Sequence, residues 1–241
     1  MLSPGLDTRT WVSLFCSVEQ KAASKRCLVV NFKRLLYFLS PPIITRTYRN
    51  IRGYFEKDDL LFDGHETLFM EKVEGVSTYG EYGAGQSTMW MASNTNATVY
   101  SVDTSKEWVD KVNTAVENNT NVDLRWVDLG PVKNWGTPIS YERREHIIDY
   151  VQSIWVREEK PSLVLVDGRF RVACFLYSLL HGEPGTQILF DDYNHRPHYH
   201  VVEECVKPTL QQGRHAYFVT PETFDRELAS ELLQRFLYVM D

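Results

Sequence analysis

The stretch Tyr79–Thr88 reads YGEYGAGQST. A strand expected over Val76–Tyr82 breaks at Gly83-Ala84-Gly85 and gives way to a helix beginning over Gln86–Ser93. A strand that ends in glycines and passes directly into a helix brings main chain close to a ligand that a Cβ would hold off. Outward from this turn the pattern repeats. Strands are expected at Thr98–Asp103, Val122–Val127, Leu163–Val166, Gln187–Phe190, Ala216–Val219 and Phe236–Val239, with helices between them. Leu163–Val166 is apolar throughout, as a strand buried on both faces must be. The predicted architecture is α/β: a doubly wound, mostly parallel, seven-stranded Rossmann-like sheet over residues 61–241.

Ahead of it, residues 1–60 read as a basic helical N-terminal extension. Residues 11–40 lack Gly and Pro, and Pro41-Pro42 stops the helix. A further helix is expected over Glu66–Val73. The formal charge of −6 is unevenly spread. The first 53 residues hold nine Lys/Arg against two Asp/Glu, and the remainder 17 against 30. A basic arm on an acidic body suits a peripheral membrane contact or the acidic face of a second copy in a homodimer. Nucleic acid is not expected as a partner, because the body would repel phosphate. No run approaches the ~20 apolar residues of a transmembrane helix. Four scattered cysteines without a CxxC pair point to a reducing, cytoplasmic setting.

Ligands in open α/β sheets bind beyond the carboxyl ends of the strands. Four acidic strand ends fall there beside the Gly turn: Asp103, Asp128, Asp167 and the pair Asp191-Asp192. Asp103 lies twenty residues beyond Gly83, where a carboxylate can accept hydrogen bonds from both ribose hydroxyls. Both NAD and S-adenosylmethionine use such an acid. A dinucleotide fingerprint would carry a third glycine where Thr88 stands, and Glu81 would repel a pyrophosphate but not a sulfonium with its ammonium group. The turn therefore favours S-adenosylmethionine.

The E-x-G-x-G-x-S-T pattern (Glu81 to Thr88), the Asp103 strand end and the order of elements resemble class I S-adenosylmethionine-dependent methyltransferases over roughly residues 65–241. The resemblance implies that Glu81, Gly83 and Gly85, with Ser87 and Thr88, border the cofactor, that Asp103 holds the ribose, and that Asp128 lies near the adenine amino group. Trp126 and Trp135 are either core or adenine-packing residues.

Methyl transfer needs an aligned acceptor and, for a hydroxyl, a group that takes its proton. VDGRFR (Val166–Arg171) and FDDYNHRPHYH (Phe190–His200) offer Asp167, Arg171 and His195 as candidate catalytic residues. Asp167, Asp191 and Asp192 form a set that could hold Mg²⁺, similar to metal-dependent O-methyltransferases. Arg169 and Arg171 depart from that pattern, since arginines can neutralise the acids directly. Both runs also resemble, more distantly, an uncharacterised methyltransferase-like group and enzymes that methylate polysaccharide uronates. The implied acceptor is a small molecule or saccharide, methylated on a hydroxyl or carboxylate oxygen. The competing reading is a non-catalytic relative whose basic arm docks a partner or membrane.

Overall fold

The computed structural model describes residues 61–117 and 119–240, and the N-terminal extension, with its predicted helix over 11–40, lies outside them. The strands are β1 (Thr78–Tyr82), β2 (Thr98–Asp103), β3 (Val122–Trp126), β4 (Leu163–Val166), β5 (Gln187–Phe190), β6 (Leu210–Gln212) and β7 (His215–Val219). They form one seven-stranded sheet in the order β3-β2-β1-β4-β5-β7-β6. β3 to β5 pair in parallel, while β7 runs antiparallel to both β5 and β6. The predicted mostly parallel α/β sheet is present.

One strand differs from the expectation. Phe236–Val239 is not a strand: the last helix runs through Phe236, and a turn follows. The seventh strand is instead Leu210–Gln212, an exposed edge strand of three residues paired with β7 across the Gly213 turn. Aromatic and β-branched composition favours a strand only where a sheet edge is free to receive it.

The helices are α1 (Thr67–Lys72), α2 (Gln86–Asn94), α3 (Lys106–Val116), α4 (Ile147–Gln152), α5 (Arg171–His181) and α6 (Arg226–Phe236). Ser105 caps α3 by accepting from the Trp108 amide at 3.3 Å, and Asp225 caps α6 through Leu228 at 2.9 Å. Between β3 and β4 the expected helix is reduced to a 3₁₀ turn, Arg144–His146, and α4, and between β5 and β6 the segment Pro197–Glu204 is 3₁₀.

The sheet buries both faces by alternation. Val164 and Val166 of β4 join Tyr150, Phe175, Ile188, Phe190, Phe218 and Leu232 in one core. Leu163 and Leu165 join Leu68, Phe69, Tyr79, Met91 and Val99 in the other. Among the described residues no helix is long and apolar enough to cross a membrane.

The strand order reverses between β1 and β4, and there the two main chains touch. Gly83, at φ +96°, follows β1; a Cβ on it would lie 2.8 Å from the Gly168 Cα. A Cβ on Gly168 would collide with the Tyr150 hydroxyl and reach 2.7 Å from the Gly83 nitrogen. The pair puts the Gly turn and the β4 acid side by side at the switch point.

Candidate functional site

The Gly turn is tied down from within. The Gly83 amide donates to the Val102 carbonyl at 2.9 Å, Ala84 to the Asp103 carboxylate at 3.1 Å, and Gly85 to the Thr88 hydroxyl at 2.9 Å. These three N–H groups are consumed inside the protein. They cannot also cradle a pyrophosphate, which is what a dinucleotide turn would require.

Glu81 is the buried anchor of this arrangement. Its carboxylate accepts from the hydroxyls of Tyr79 at 3.1 Å and Ser101 at 2.8 Å, and from those of Ser87 and Thr88. Burial raises its affinity for a proton, while the four hydroxyl donors work the other way. Gly85, Thr88 and Glu81 thus form a relay that fixes the first turn of α2. The sequence placed Glu81, Ser87 and Thr88 against the cofactor; their polar atoms are spent on one another. Glu81 acts by shaping the turn, and the expectation that its charge faces and repels a ligand is corrected.

Asp103, at the end of β2, stands beside the turn as expected. One oxygen accepts from Ala84 and the other from the Ser105 amide at 2.7 Å. Burial raises its pKa to about 6 against these main-chain hydrogen bonds. It forms no ion pair with a basic side chain among the described residues, and its remaining lone pairs can accept hydroxyls.

Asn134–Gly136 packs next to it. The Thr104 hydroxyl donates to the Gly136 carbonyl at 2.6 Å, and Trp135, in a left-handed conformation at φ 65°, projects its indole 87% exposed. Trp126 donates from its indole to the Thr104 carbonyl at 3.1 Å. Neither ring is core. Asp128 caps its own turn through the Gly130 amide at 2.9 Å and pairs with Arg143, so both its oxygens are engaged.

The second half of the rim is built differently. Asp167, Asp191 and Asp192 do converge, and arginines enter between them. Arg171, the first residue of α5 and nearly fully buried, lies 3.0 Å from Asp167 and 3.4 Å from Asp192. It also donates to the carbonyls of Gly168, Asp167 and Asp191. It is a strut that joins the ends of β4 and β5 rather than a group presented to an acceptor. The left-handed Phe170 (φ 53°), buried just before it, turns the chain into α5.

Arg214 reaches Asp191 at 2.7 Å and Asp192 at 2.6 Å, and Arg196 reaches Asp192 at 2.7 Å. His215 faces Asp191 with Nε2 at 3.0 Å. Asp191 is fully buried, and its desolvation is outweighed by His215, the neighbouring Asp167 and Arg171, which hold its carboxyl well below the usual range. Asp167, partly open to solvent, has its proton affinity raised by burial and by the neighbouring Asp191.

The three acids do not fit a divalent cation. Their oxygens meet three guanidiniums, and a dication placed among them would be repelled by the same groups that satisfy the carboxylates. No metal-holding cluster of His, Cys, Asp and Glu occurs among the described residues. The expected Mg²⁺ site at Asp167, Asp191 and Asp192 is therefore replaced by an ion network.

His195 is exposed on the 3₁₀ turn Tyr193–His195, near the network but outside it. His200 stacks on Tyr193 with ring centres 4.6 Å apart. Arg214 and His215 escaped the sequence reading. They lie on the β6–β7 hairpin, and the one local signal is Gly213, whose φ of +58° makes the turn that delivers them.

A doubly wound sheet with a Gly turn and a β2 acid at its switch point defines a nucleotide-cofactor α/β protein of the class I methyltransferase fold. No protein-family model and no curated protein matches the chain. Among solved structures it is similar to a methyltransferase-like protein from Silicibacter pomeroyi, at 30% identity and a TM-score of 0.66, over 75% of this chain and 97% of that one. On that relative, the chain belongs to the class I S-adenosylmethionine-dependent methyltransferase-like family. Weaker likenesses include the N-methyltransferase NodS from Bradyrhizobium japonicum with S-adenosyl-L-homocysteine (14% identity, TM-score 0.47, 69% of this chain and 91% of that one). Another is an O-methyltransferase from Bacillus cereus with the same ligand (14%, 0.44, 75% and 90%).

Proposed function

We propose that the protein binds S-adenosylmethionine and transfers its methyl group to an oxygen of a small-molecule or saccharide acceptor. The observation that carries the reading is the inward-turned Gly turn. Its amides are used by Val102, Asp103 and Thr88, which disfavours a pyrophosphate, while Asp103 keeps acceptor capacity for ribose hydroxyls. Gly83, Ala84 and Gly85 would border the methionine part, and Trp135 or Trp126 the base. S-adenosylmethionine supplies a methyl carbon activated by the sulfonium.

The chain's own residues align the acceptor. Asp167, the partly open acid beside the switch point, is the group placed to take a hydroxyl proton. Arg171 holds Asp167 in position, and His195 and Arg196 lie outward along the same rim. An acceptor carboxylate would need no base, and the arginines near the rim suit it equally. A cytoplasmic location, a homodimer and a membrane contact by the basic arm remain part of this reading.

Calorimetry with S-adenosylhomocysteine tests it. Binding with one site per chain, lost in Asp103→Ala and kept in Asp167→Asn, is the expected result. Absence of binding at millimolar ligand would overturn the cofactor assignment, and equal loss in both variants would overturn the division of roles.

A further inference from the structure

Asp167 and Asp191 extend β4 and β5 by one residue each. Val166 pairs with Phe190 in the parallel register, so the two acids are neighbours, and both lie within 3.7 Å of the Arg171 guanidinium. On its other side Phe190 pairs with Ala216 in the antiparallel register, which sets Asp191 opposite His215. Three side chains therefore run in a row across the sheet edge: His215, fully buried; Asp191, fully buried; and Asp167, with 29% of its side chain exposed.

The row is lopsided. Asp191 has His215 Nε2 at 3.0 Å and Arg214 at 2.7 Å, with Arg171 farther off at 3.7 Å. Among the described residues Asp167 forms its ion pair with Arg171, at 3.0 Å, and Arg214 acts on it from farther off. A lone pair on Nε2 held 3.0 Å from a carboxylate oxygen would be repelled, so the ring hydrogen belongs on this nitrogen. The other ring nitrogen, Nδ1, is buried with no hydrogen-bond partner among the described residues, the Nε2–Oδ1 contact is a close polar approach rather than an aligned hydrogen bond, and the Phe62 ring packs perpendicular to the imidazole with ring centres 4.7 Å apart. An orphaned buried nitrogen is costly. The close polar contact the ring does make is that of Nε2 with Asp191.

Two adjoining carboxyls in one buried site cannot both ionise freely, and the pair retains a proton. We propose that His215 is a positioning residue that directs this shared proton onto Asp167, by holding Asp191 as the ionised partner. The inference rests on the proposed function only in placing Asp167 at the acceptor side. Charges facing the pair come from every neighbouring element: Arg171 on α5, Asp192 after β5, Arg196 beyond it, Arg214 in the turn just before β7, and Asp63, which pairs with Arg214 at 3.1 Å. Tyr79 of β1, whose phenol is raised by burial first and by Glu81 next, also feels Asp167. The raised proton affinity of Asp167 and the lowered one of Asp191 agree in direction with this division. The consequence is that Asp167 rests as a carboxylic acid and becomes a base only after it gives the proton up. Transfer to a hydroxyl would then rise with pH through the Asp167 titration.

The test is a carbon-13 titration of the full chain labelled at the aspartate carboxyls, with the Asp167 signal assigned by its loss in Asp167→Asn. Wild type should show Asp167 titrating above the ordinary carboxylate range. His215→Leu should move that midpoint down by a unit or more, since Asp191 then competes for the proton. His215→Gln, whose amide nitrogen can replace Nε2, should restore it. A purely structural histidine would give equal effects in both variants, which overturns the proposal. If His215→Leu fails to fold, Asp191→Asn serves instead: Asp167 should fall into the ordinary range, and an unmoved midpoint overturns the coupling. Calorimetry with S-adenosylhomocysteine on the same samples separates the two readings. Lost ligand binding in wild type removes the proposed function while leaving the proton placement to stand or fall on the titration.

Discussion

The two halves of the rim solve one problem in opposite ways. On the β1–β2 side, Glu81 and Asp103 are satisfied by hydroxyls and main-chain amides, with no ion pair to a basic side chain among the described residues. On the β4–β5–β7 side, Asp167, Asp191 and Asp192 are satisfied by Arg171, Arg196 and Arg214. Neutral donors leave a carboxylate its charge and part of its accepting capacity, which suits a ligand that brings hydroxyls and a positive charge. Guanidiniums cancel the charge and close the oxygens, which suits a site where an anion or a nucleophilic oxygen must approach. On the proposed function, the fold separates a donor side from an acceptor side by the chemistry of the counter-groups, with acids on both.

The most damaging way to break the comparison is to separate the halves. Gly168→Ala should cost about 3 kcal/mol or more, because its Cβ meets both Tyr150 and the Gly83 main chain; urea unfolding would measure it. Next, Glu81→Ala leaves the hydroxyls of Tyr79, Ser87, Thr88 and Ser101 without their acceptor. At roughly 1 kcal/mol each this comes to about 3–4 kcal/mol, whereas Glu81→Gln should retain much of it.

A third prediction sharpens the donor side. Asp103 has a folded pKa of about 6 against 3.8 in the open chain, so the folded state binds its proton more tightly. Its contribution to stability is fully present below about pH 4 and is lost as the pH rises through about 6. Asp103→Asn, which does not titrate, should therefore lose this pH dependence of stability between about pH 4 and about 6 in thermal melts, even as it weakens S-adenosylhomocysteine binding. In wild type, affinity for that ligand should rise as the pH passes through about 6, because the ionised carboxylate accepts ribose hydroxyls better. The smallest effect belongs to Trp135. Its left-handed conformation and exposed ring contribute little to folding, so Trp135→Gly should raise stability by at most about 1 kcal/mol while reducing ligand affinity. A fall in both would place the ring in the core.

The donor side was legible because its parts are local. Glu81 to Thr88 are contiguous, and Asp103 follows one helix later, so spacing alone brings them together. Their roles were less legible. Whether a serine or threonine faces a ligand or its own helix depends on the register of α2 against β2, and Ser101 of that strand completes the Glu81 cluster. The acceptor side was half legible. Asp167, Asp191 and Asp192 ended strands as expected, but their partners Arg214 and His215 arrive from an antiparallel hairpin some twenty residues later. No periodicity announces that pairing. The same hairpin supplies the edge strand that composition had assigned to Phe236–Val239.

Gly83 and Gly168, pressed against each other at the switch point, act as a gauge between donor and acceptor. Two main chains in contact have no rotamers to adjust and no side chain to swing aside. On the proposed function, the span between a cofactor on the β1 end and an acceptor on the β4 end is thus set by the sheet itself. In-line displacement is unforgiving of about 1 Å of error. Whatever moves to admit or release ligands has to be found in the loops, since the jaw they close upon has one fixed opening.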